Sequence, residues 1–324
     1  MEKIETEIFD CFNVHKCQDC FSFVHIEIED KPLFYEKMFD YFFSEDKILK
    51  YCENSTSIKF TPSTRDYVTL HKHLRTYIDS ENLEKEASEL DEILSSVLRE
   101  EGSLEDKDGK KIVRLDKMGK IGEYIFCCLL SDYFHFDCII PKVHYQTDYN
   151  MSIFGIDALY YSQDNDLLLF GESKMTLSLD NGVKLINASL KDYENQLENE
   201  FLLVLSGRII KDKLNKFDNK FGETVENCFT IQEFIEDAEI TKLGVPIFIA
   251  HGTDIDENAI YKKLKKIKKS DLLGIETTYY LISLPTIDKN KFIATCTSMI
   301  KIREDNYKNL GKAFKTKNKA GEKL

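Results

Sequence analysis

The sequence contains no long apolar run. No window approaches the roughly 18 to 20 consecutive apolar residues that span a bilayer, so we expect no membrane association. The opening residues, with Glu2, Glu5 and Glu7, are too acidic for a secretion signal. Nine cysteines, an odd number in a chain without an export signal, favour reduced thiols. These features predict a cytoplasmic protein.

The chain also lacks the basic excess of a stand-alone DNA-binding protein. Its formal net charge is −13; residues 1–110 hold 26 acidic and 14 basic side chains, whereas residues 111–324 hold 31 and 30. The basic residues concentrate in the run 262–269 and near the end of the chain. A nucleic-acid substrate therefore suits the second part, while the acidic first part is suited to repelling nucleic acid or facing a basic partner.

No internal repeat is present, and the length of 324 residues is sufficient for two domains. The stretch 100–109 is charged, ends in glycine and has no apolar periodicity, which indicates a boundary. We therefore predict an N-terminal α+β domain over 1–110 that serves for partner docking. An α/β domain with a mixed central sheet flanked by helices follows over 111–305, and 306–324 is predicted to be a basic mobile tail.

Apolar periodicity predicts the order of helices and strands. Helices are predicted over 32–51, 82–99, 116–133, 181–199, 256–269 and 288–301. Strands are predicted over 21–28, 138–145, 245–250 and 278–284, and 200–216 is ambiguous. Pro141 cannot donate to a sheet ladder, so its strand is expected at an edge or at a bulge.

The most informative segment is a predicted hairpin over 153–176. Asp157 and Glu172 are equally far from the turn midpoint between residues 164 and 165, so an unbulged pairing sets them opposite each other on one face. Lys174 shares that face because side chains alternate along a strand. The flanking residues are apolar on both faces, which is typical of a covered sheet. Two buried carboxylates repel, and a divalent metal is the simplest relief.

Glu123 is predicted to join this group from the preceding helix. Gly119 and Gly122 allow that helix to approach the sheet closely. Carboxylates are typical magnesium ligands, and a neighbouring lysine can orient or deprotonate an attacking water, which is the chemistry of phosphodiester hydrolysis. Alternatively the charges form the polar face of an exposed hairpin, which the leucine and phenylalanine neighbours on the same face disfavour.

These residues resemble the PD-(D/E)xK nuclease superfamily. The resemblance lies in Gly155-Ile-Asp157 on one strand, Glu172-Ser-Lys174 on the next, and the Gly-x-x-Gly-Glu123 motif on the helix. Ile156 stands where the superfamily often has a proline. The longer run 119–176, with the strand 245–252, is more narrowly similar to the HamA-type nuclease subunits of the Hachiman anti-phage defence system.

The resemblance implies a restriction-endonuclease-like core and a metal-dependent DNA endonuclease, with Mg²⁺ or Mn²⁺ as cofactor. A HamB-type helicase subunit would hold it in check in the bacterial cytoplasm and release it on infection. Asp157 and Glu172 would bind the metal with the Ser173 carbonyl, Lys174 would be the catalytic lysine, and Glu123 the upstream acidic ligand. Two alternatives stay open: a non-catalytic assembly subunit that retains a nuclease-like fold, and an enzyme that cleaves RNA.

Several further patterns have both a functional and a structural interpretation. Lys184, Lys191 and Gln196 are candidate contacts to the DNA backbone, and no base-reading module is recognisable. The lysines of 262–269 either face solvent or contact phosphates, beside an apolar stripe of Tyr261, Leu264 and Ile267.

Cysteine and histidine residues near the start of the chain raise the question of zinc. Cys17 and Cys20, with Cys11, His15 and His25 nearby, could form a zinc site, but structural thiols are favoured. A typical zinc site combines two closely spaced ligand pairs, and only one such pair is present here. His71 and His73 have no partner pattern, so a surface or satisfied histidine is the expectation.

Overall fold

A computed structural model describes residues 3–53, 64–78, 84–86, 92–114, 119–141, 158–162, 167–205, 224, 227–252 and 256–321. Within these ranges the strands form two sheets. The central sheet contains β1 (Glu5–Phe9), β2 (Phe12–Cys17), β3 (Cys20–His25), β7 (Asp137–Pro141), β8 (Ala158–Ser162), β9 (Leu167–Thr176), β10 (Leu243–Gly252) and β11 (Thr277–Ile287). A small sheet contains β4 (Glu84–Glu86), β5 (Leu104–Lys107) and β6 (Lys110–Arg114).

Helices cover both faces of the central sheet. They are α1 (Lys31–Phe42), α2 (Glu45–Glu53), α3 (Thr64–Ile78), α4 (Glu92–Glu100), α5 (Lys120–Asp132), α6 (Leu179–Ser189), α7 (Tyr193–Leu205), α8 (Ile231–Asp237), α9 (Glu257–Leu264) and α10 (Lys289–Gly321). A single 3₁₀ turn, Leu190–Asp192, joins α6 to α7. The fold is thus mixed α/β, as predicted.

The central sheet has the strand order β1-β2-β3-β11-β10-β9-β8-β7. Its four middle strands, β3, β11, β10 and β9, are parallel, and an antiparallel pair of strands flanks them on each side. Because β3 pairs with β11, the regions on either side of residue 110 share one sheet. The boundary predicted there does not separate two sheets.

Each face of the sheet has its own apolar core. The first core combines residues from both sides of residue 110, among them Phe34, Phe39, Phe126 and Phe248. The second core lies on the opposite face and is built by β9, β10, β11 and the helices α6 to α9. A strand such as β9, buried along nearly its whole length, is therefore covered on both faces, as its apolar sequence predicted.

Two predicted helices are each divided. The helix predicted over 32–51 breaks into α1 and α2 at Phe43 and Ser44, and the new helix starts with acidic residues in its first turn. The helix predicted over 181–199 breaks at the 3₁₀ turn and continues to Leu205. The prediction over 82–99 is wrong in its first part, since Glu84–Glu86 is a strand that pairs with β6, whereas 92–100 is helical and 87–91 lies outside the described residues.

The stretch 100–109, predicted as a domain boundary, contains strand β5 and the turn of a hairpin. Strands β5 and β6 meet at Asp108 and Gly109, which have φ of 53° and 78°. An Asp-Gly pair with both residues left-handed is typical of a type I′ turn. Because the Asp-Gly pair is visible in the sequence, this hairpin could have been predicted. Strands β1 and β2 were likewise not predicted.

The tail predicted to lack regular structure is helical over 306–321, as a continuation of α10. The reason lies in its packing on α3. The Glu304 side chain is fully buried, with one carboxylate oxygen 2.9 Å from Arg75 Nε, and the Tyr307 ring stacks on Tyr67 with centroids 5.1 Å apart. These contacts stabilise the helix beyond residue 301, where the predicted helix ends.

The strand predictions near the middle and end of the chain are confirmed. Strand β7 is the last strand of the sheet and has a register shift between Cys138 and Ile140, so the expectations of an edge and of a bulge both hold. Strands β10 and β11 contain the predicted 245–250 and 278–284. Residues 116–118, 142–145 and 206–216 of other predicted elements lie outside the described residues.

Candidate functional site

The pairing of β8 with β9 has the predicted register. Ala158 pairs with Gly171, Leu159 with Phe170, and the ladder runs on without a bulge to Ser162 and Leu167. This is the register that was inferred from the turn midpoint. Asp157, one residue before β8, lies outside the described residues.

Glu172 and Lys174 form a buried ion pair on β9. The Glu172 side chain is 2% exposed and that of Lys174 is 16% exposed, and the Lys174 Nζ donates to Glu172 Oε1. A carboxylate at such burial requires a nearby cation or proton. In this structure the lysine of the motif supplies that charge itself.

Strand alternation places this pair on the face of the second core. Leu168 and Phe170, on the same side of β9, belong to that core, and Ile247 and Ile249 of β10 pair alongside Glu172 and Lys174. Helix α6 covers this face closely, because Gly182 has no side chain. An added Cβ there would lie 2.4 Å from Ile249 Cγ2 and 3.1 Å from Thr176 Oγ1.

Helix α5, which contains Glu123, packs on the other face. Cβ atoms added to Gly119 and Gly122 would lie 2.9 and 3.1 Å from Met175 Cβ, so the predicted close approach of helix and sheet is confirmed. Gly119 also needs its φ of 114°, which side-chain-bearing residues rarely adopt. Met175 points away from Glu172 and Lys174, so α5, the helix of Glu123, packs on the face of β9 opposite to that pair.

The candidate DNA contacts follow β9 along the chain. Lys184 is exposed on α6, Lys191 is exposed in the 3₁₀ turn, and Gln196 is half-buried on α7. All three lie on the side of the sheet that the Glu172–Lys174 pair faces, because α6 and α7 contribute to the second core. Their role in binding DNA stays a prediction.

Three of the six lysines in the basic run 262–269 lie beside carboxylates of the protein. Helix α9 ends at Leu264, earlier than predicted, and the predicted stripe of Tyr261, Leu264 and Ile267 is buried. The Nζ atoms of Lys263 and Lys266 lie 2.8 and 3.6 Å from the Asp180 carboxylate. Lys269 pairs with Asp19. The hydrogen bond from Lys263 is the main cause that lowers the pKa of Asp180.

The cysteines and histidines considered for zinc are divided between the two faces of the sheet. Cys17 and Cys20 are register partners in the second core, whereas Cys11 packs on the first core. His15 lies 3.0 Å from Glu257, and His25 packs edge-on against Phe12 and Phe34. Burial raises the pKa of Cys20 to about 12, which keeps it a thiol. The geometry supports the structural interpretation.

His71 is also a packing residue. It lies on α3 and is fully buried against α10. Its Nδ1 donates to the Tyr67 carbonyl at 2.9 Å, and its ring centroid lies 5.4 Å from that of Tyr307. The side chain of His73 lies outside the described residues. Across the part of the chain that the structure describes, which leaves out Asp157, no group of three or more His, Cys, Asp or Glu residues is arranged to hold a metal.

Two buried polar groups were not predicted. His251 is fully buried on β10, with Nε2 2.7 Å from Ser283 Oγ on β11. Glu101 and Lys289 form a second buried ion pair at 2.8 Å. No local pattern could have revealed either, because the partners lie 32 and 188 residues apart in the chain.

A comparison with protein families identifies the chain. The family model described as HamA matches residues 20–300, which is most of its length. The chain belongs to the HamA family. As a HamA protein it is a component of the Hachiman antiviral defence system, as the motifs predicted.

The other comparisons found no counterpart for this HamA chain. No curated protein matched it, and no solved structure matched it. Within its described residues, no helix combines the length and the apolar character needed to cross a bilayer.

Proposed function

We propose that this HamA protein is the metal-dependent DNA endonuclease of its defence system, with a restriction-endonuclease-like PD-(D/E)xK core and a helicase as its partner. The observation that carries the proposal is the Glu172–Lys174 pair, buried on a central strand in the predicted register. An ordinary surface hairpin would expose these charges, and a core strand would have apolar residues in their place. Charged groups that are buried this deeply are typical of catalytic and binding sites.

The donors at this position fit a hard divalent cation. Glu172 supplies a carboxylate, Ser173 a carbonyl, and continuation of the β8–β9 register by one residue would set Asp157 opposite Glu172. When bound, Mg²⁺ would supply charge neutralisation and an acidified water. Glu123 keeps its proposed role as the upstream acidic residue, although it approaches β9 from the other face.

Lys174 is the group that this chain provides for proton transfer. In the absence of a metal its ammonium compensates the charge of Glu172. A cation bound to Glu172 would take over that task. The lysine would then be available to orient a water beside the scissile phosphate or, after giving its own proton to solvent, to deprotonate that water as a neutral amine. Lys184, Lys191 and Gln196 are proposed to hold the DNA backbone on this side of the sheet.

The test is cleavage of supercoiled plasmid by the purified protein, alone and with its helicase partner and a DNA activator. We expect Mg²⁺-dependent cleavage that EDTA abolishes and that Glu172→Gln or Lys174→Met abolishes as well. Lys47→Met is a matched control, because Lys47 pairs with Asp132 at similar exposure, 17% and 18%, away from that pair.

Each alternative has a distinct outcome. Absence of cleavage in the complete system would support a non-catalytic assembly subunit. Cleavage of RNA but not DNA oligonucleotides of the same sequence would support the RNase. Cleavage that survives in both site variants would remove the proposed roles of Glu172 and Lys174.

A further inference from the structure

Glu101 makes an unusual set of contacts at the end of β9. Its side chain is 2% exposed, and both carboxylate oxygens accept from the Leu177 backbone N–H, at 2.9 and 3.0 Å. Oε1 also accepts from Asn181 Nδ2 at 2.9 Å, and Oε2 accepts from Lys289 Nζ at 2.8 Å. One carboxylate thus contacts the residue after β9, the first turn of α6 and the first residue of α10.

These contacts join the small sheet to the strand of the candidate site. Glu101 directly follows α4, whose Val97 and Leu98 pack with Leu104 and Val113 of β5 and β6 and with Leu185 of α6. Leu177 is three residues after Lys174. The unit formed by α4, β5 and β6, residues 92–114, therefore rests on α6 and reaches the end of β9 through Glu101.

The surroundings show that the β9–α6 turn is tightly fixed. Thr176 Oγ1 donates to the Ser178 carbonyl at 2.8 Å, and a Cβ on Gly252 would lie 2.7 Å from the Leu177 carbonyl oxygen. The Leu177 N–H lies past the end of the β9–β10 ladder, whose last pair is Thr176 with His251. Its partner is the side chain of a residue 76 positions earlier in the chain.

We propose that Glu101 is a positioning residue for the nuclease site. By holding the Leu177 N–H and Asn181 together, it fixes β9 relative to α6, and hence Lys174 relative to Lys184. The unit 92–114 thereby controls the geometry of the site from outside it. This inference rests on the proposed function, since it assigns Lys174 and Lys184 to one reaction.

Two double variants isolate the positioning effect from the buried charge. Glu101→Gln with Lys289→Met removes both charges but keeps an oxygen that can accept from Leu177, whereas Glu101→Met with Lys289→Met removes the acceptor too. Since neither leaves a buried ion unpaired, their difference reports the contact to the turn. Glu101→Asp, which keeps the charge and its Lys289 partner but shortens the reach by one methylene, is compared with the parent protein if the Met variant does not fold.

The readouts are hydrogen exchange of the Leu177 amide and steady-state cleavage kinetics with the helicase complex. We expect the Met variant to exchange at least tenfold faster than the Gln variant, or the Asp variant at least tenfold faster than the parent. We also expect its kcat to be at least tenfold lower, with KM for DNA unchanged within twofold. Arg75→Met with Glu304→Gln removes another ion pair, in which Glu304 is buried and Arg75 half-buried, as a control and should change neither.

Equal exchange in the acceptor-free and Gln variants would overturn the proposal, and so would faster exchange with an unchanged kcat. If the parent complex does not cleave DNA at all, the proposed function fails. The exchange rates then decide by themselves whether Glu101 holds the turn, so the two failures are distinguishable.

Discussion

The Glu172–Lys174 pair allows a prediction in which stability and metal binding change in opposite directions. Removing one partner of a fully buried ion pair costs about 3–5 kcal/mol, because it leaves the other charge buried without compensation. Lys174 keeps 16% exposure, so water screens the loss in part. We therefore expect about 2 kcal/mol of lost unfolding free energy for Glu172→Gln or for Lys174→Met in EDTA.

The double variant should recover most of that loss, since no ion is then left unpaired. The coupling energy from the cycle should be about 3–4 kcal/mol, measured by urea denaturation. Sums that are additive within about 0.5 kcal/mol would show that the two side chains do not act as a pair.

Metal binding supplies the second half of the test. Because Lys174 and the cation compete for the same carboxylate, Lys174→Met should bind Mg²⁺ more tightly than the parent while losing cleavage. A competition of about 2 kcal/mol corresponds to about 30-fold in Kd, which calorimetric titration resolves. Glu172→Gln should bind weakly, and Lys47→Met should bind like the parent. Weaker binding by Lys174→Met would refute the reasoning.

Three further predictions concern the fold. Gly182→Ala should lower the unfolding free energy by about 1–3 kcal/mol, because its Cβ would meet Ile249 Cγ2, and Ile249→Ala should reduce that penalty in a double variant. Burial lowers the pKa of His25 to about 4, below the usual 6.5. As the pH falls, the unfolded state therefore binds the proton first, and the free energy of unfolding decreases between pH 6.5 and pH 4. The slope should be about 1.4 kcal/mol per pH unit and should weaken in His25→Asn, by denaturation at several pH values. Gly109→Ala should cost about 1 kcal/mol at its φ of 78°, whereas Gly311→Ala, in helix α10 with open space around it, should gain about as much; equal signs would contradict both assignments.

The local parts of the site were predictable from sequence. A turn midpoint and strand alternation were enough for the β8–β9 register and for the shared face of Glu172 and Lys174, since both depend only on neighbouring residues. The two glycines that bring α5 to Met175 were predictable for the same reason. Membership of the HamA family followed from the motifs.

Long-range features were not predictable. Strand β1 is exposed along almost all its length and has no alternating pattern, so it gave no signal. The pairing of β3 with β11 depends on residues more than 250 positions apart. In the sequence, Glu101 is one of several charged residues in an acidic stretch, and nothing near it indicates a special role. Only the fold brings it to Leu177 and Lys289. The helix beyond residue 305 depends in the same way on its contact with α3.

The junction of β3 and β11 has a consequence for biosynthesis. Residues 20–22 leave the ribosome long before their partners 281–283 have been made. Until then the β3 edge facing β11 has no partner strand, which favours association with chaperones or with other chains. The central sheet is therefore expected to be completed only after β11 has been made, and a chain cut short before β11 is expected to aggregate.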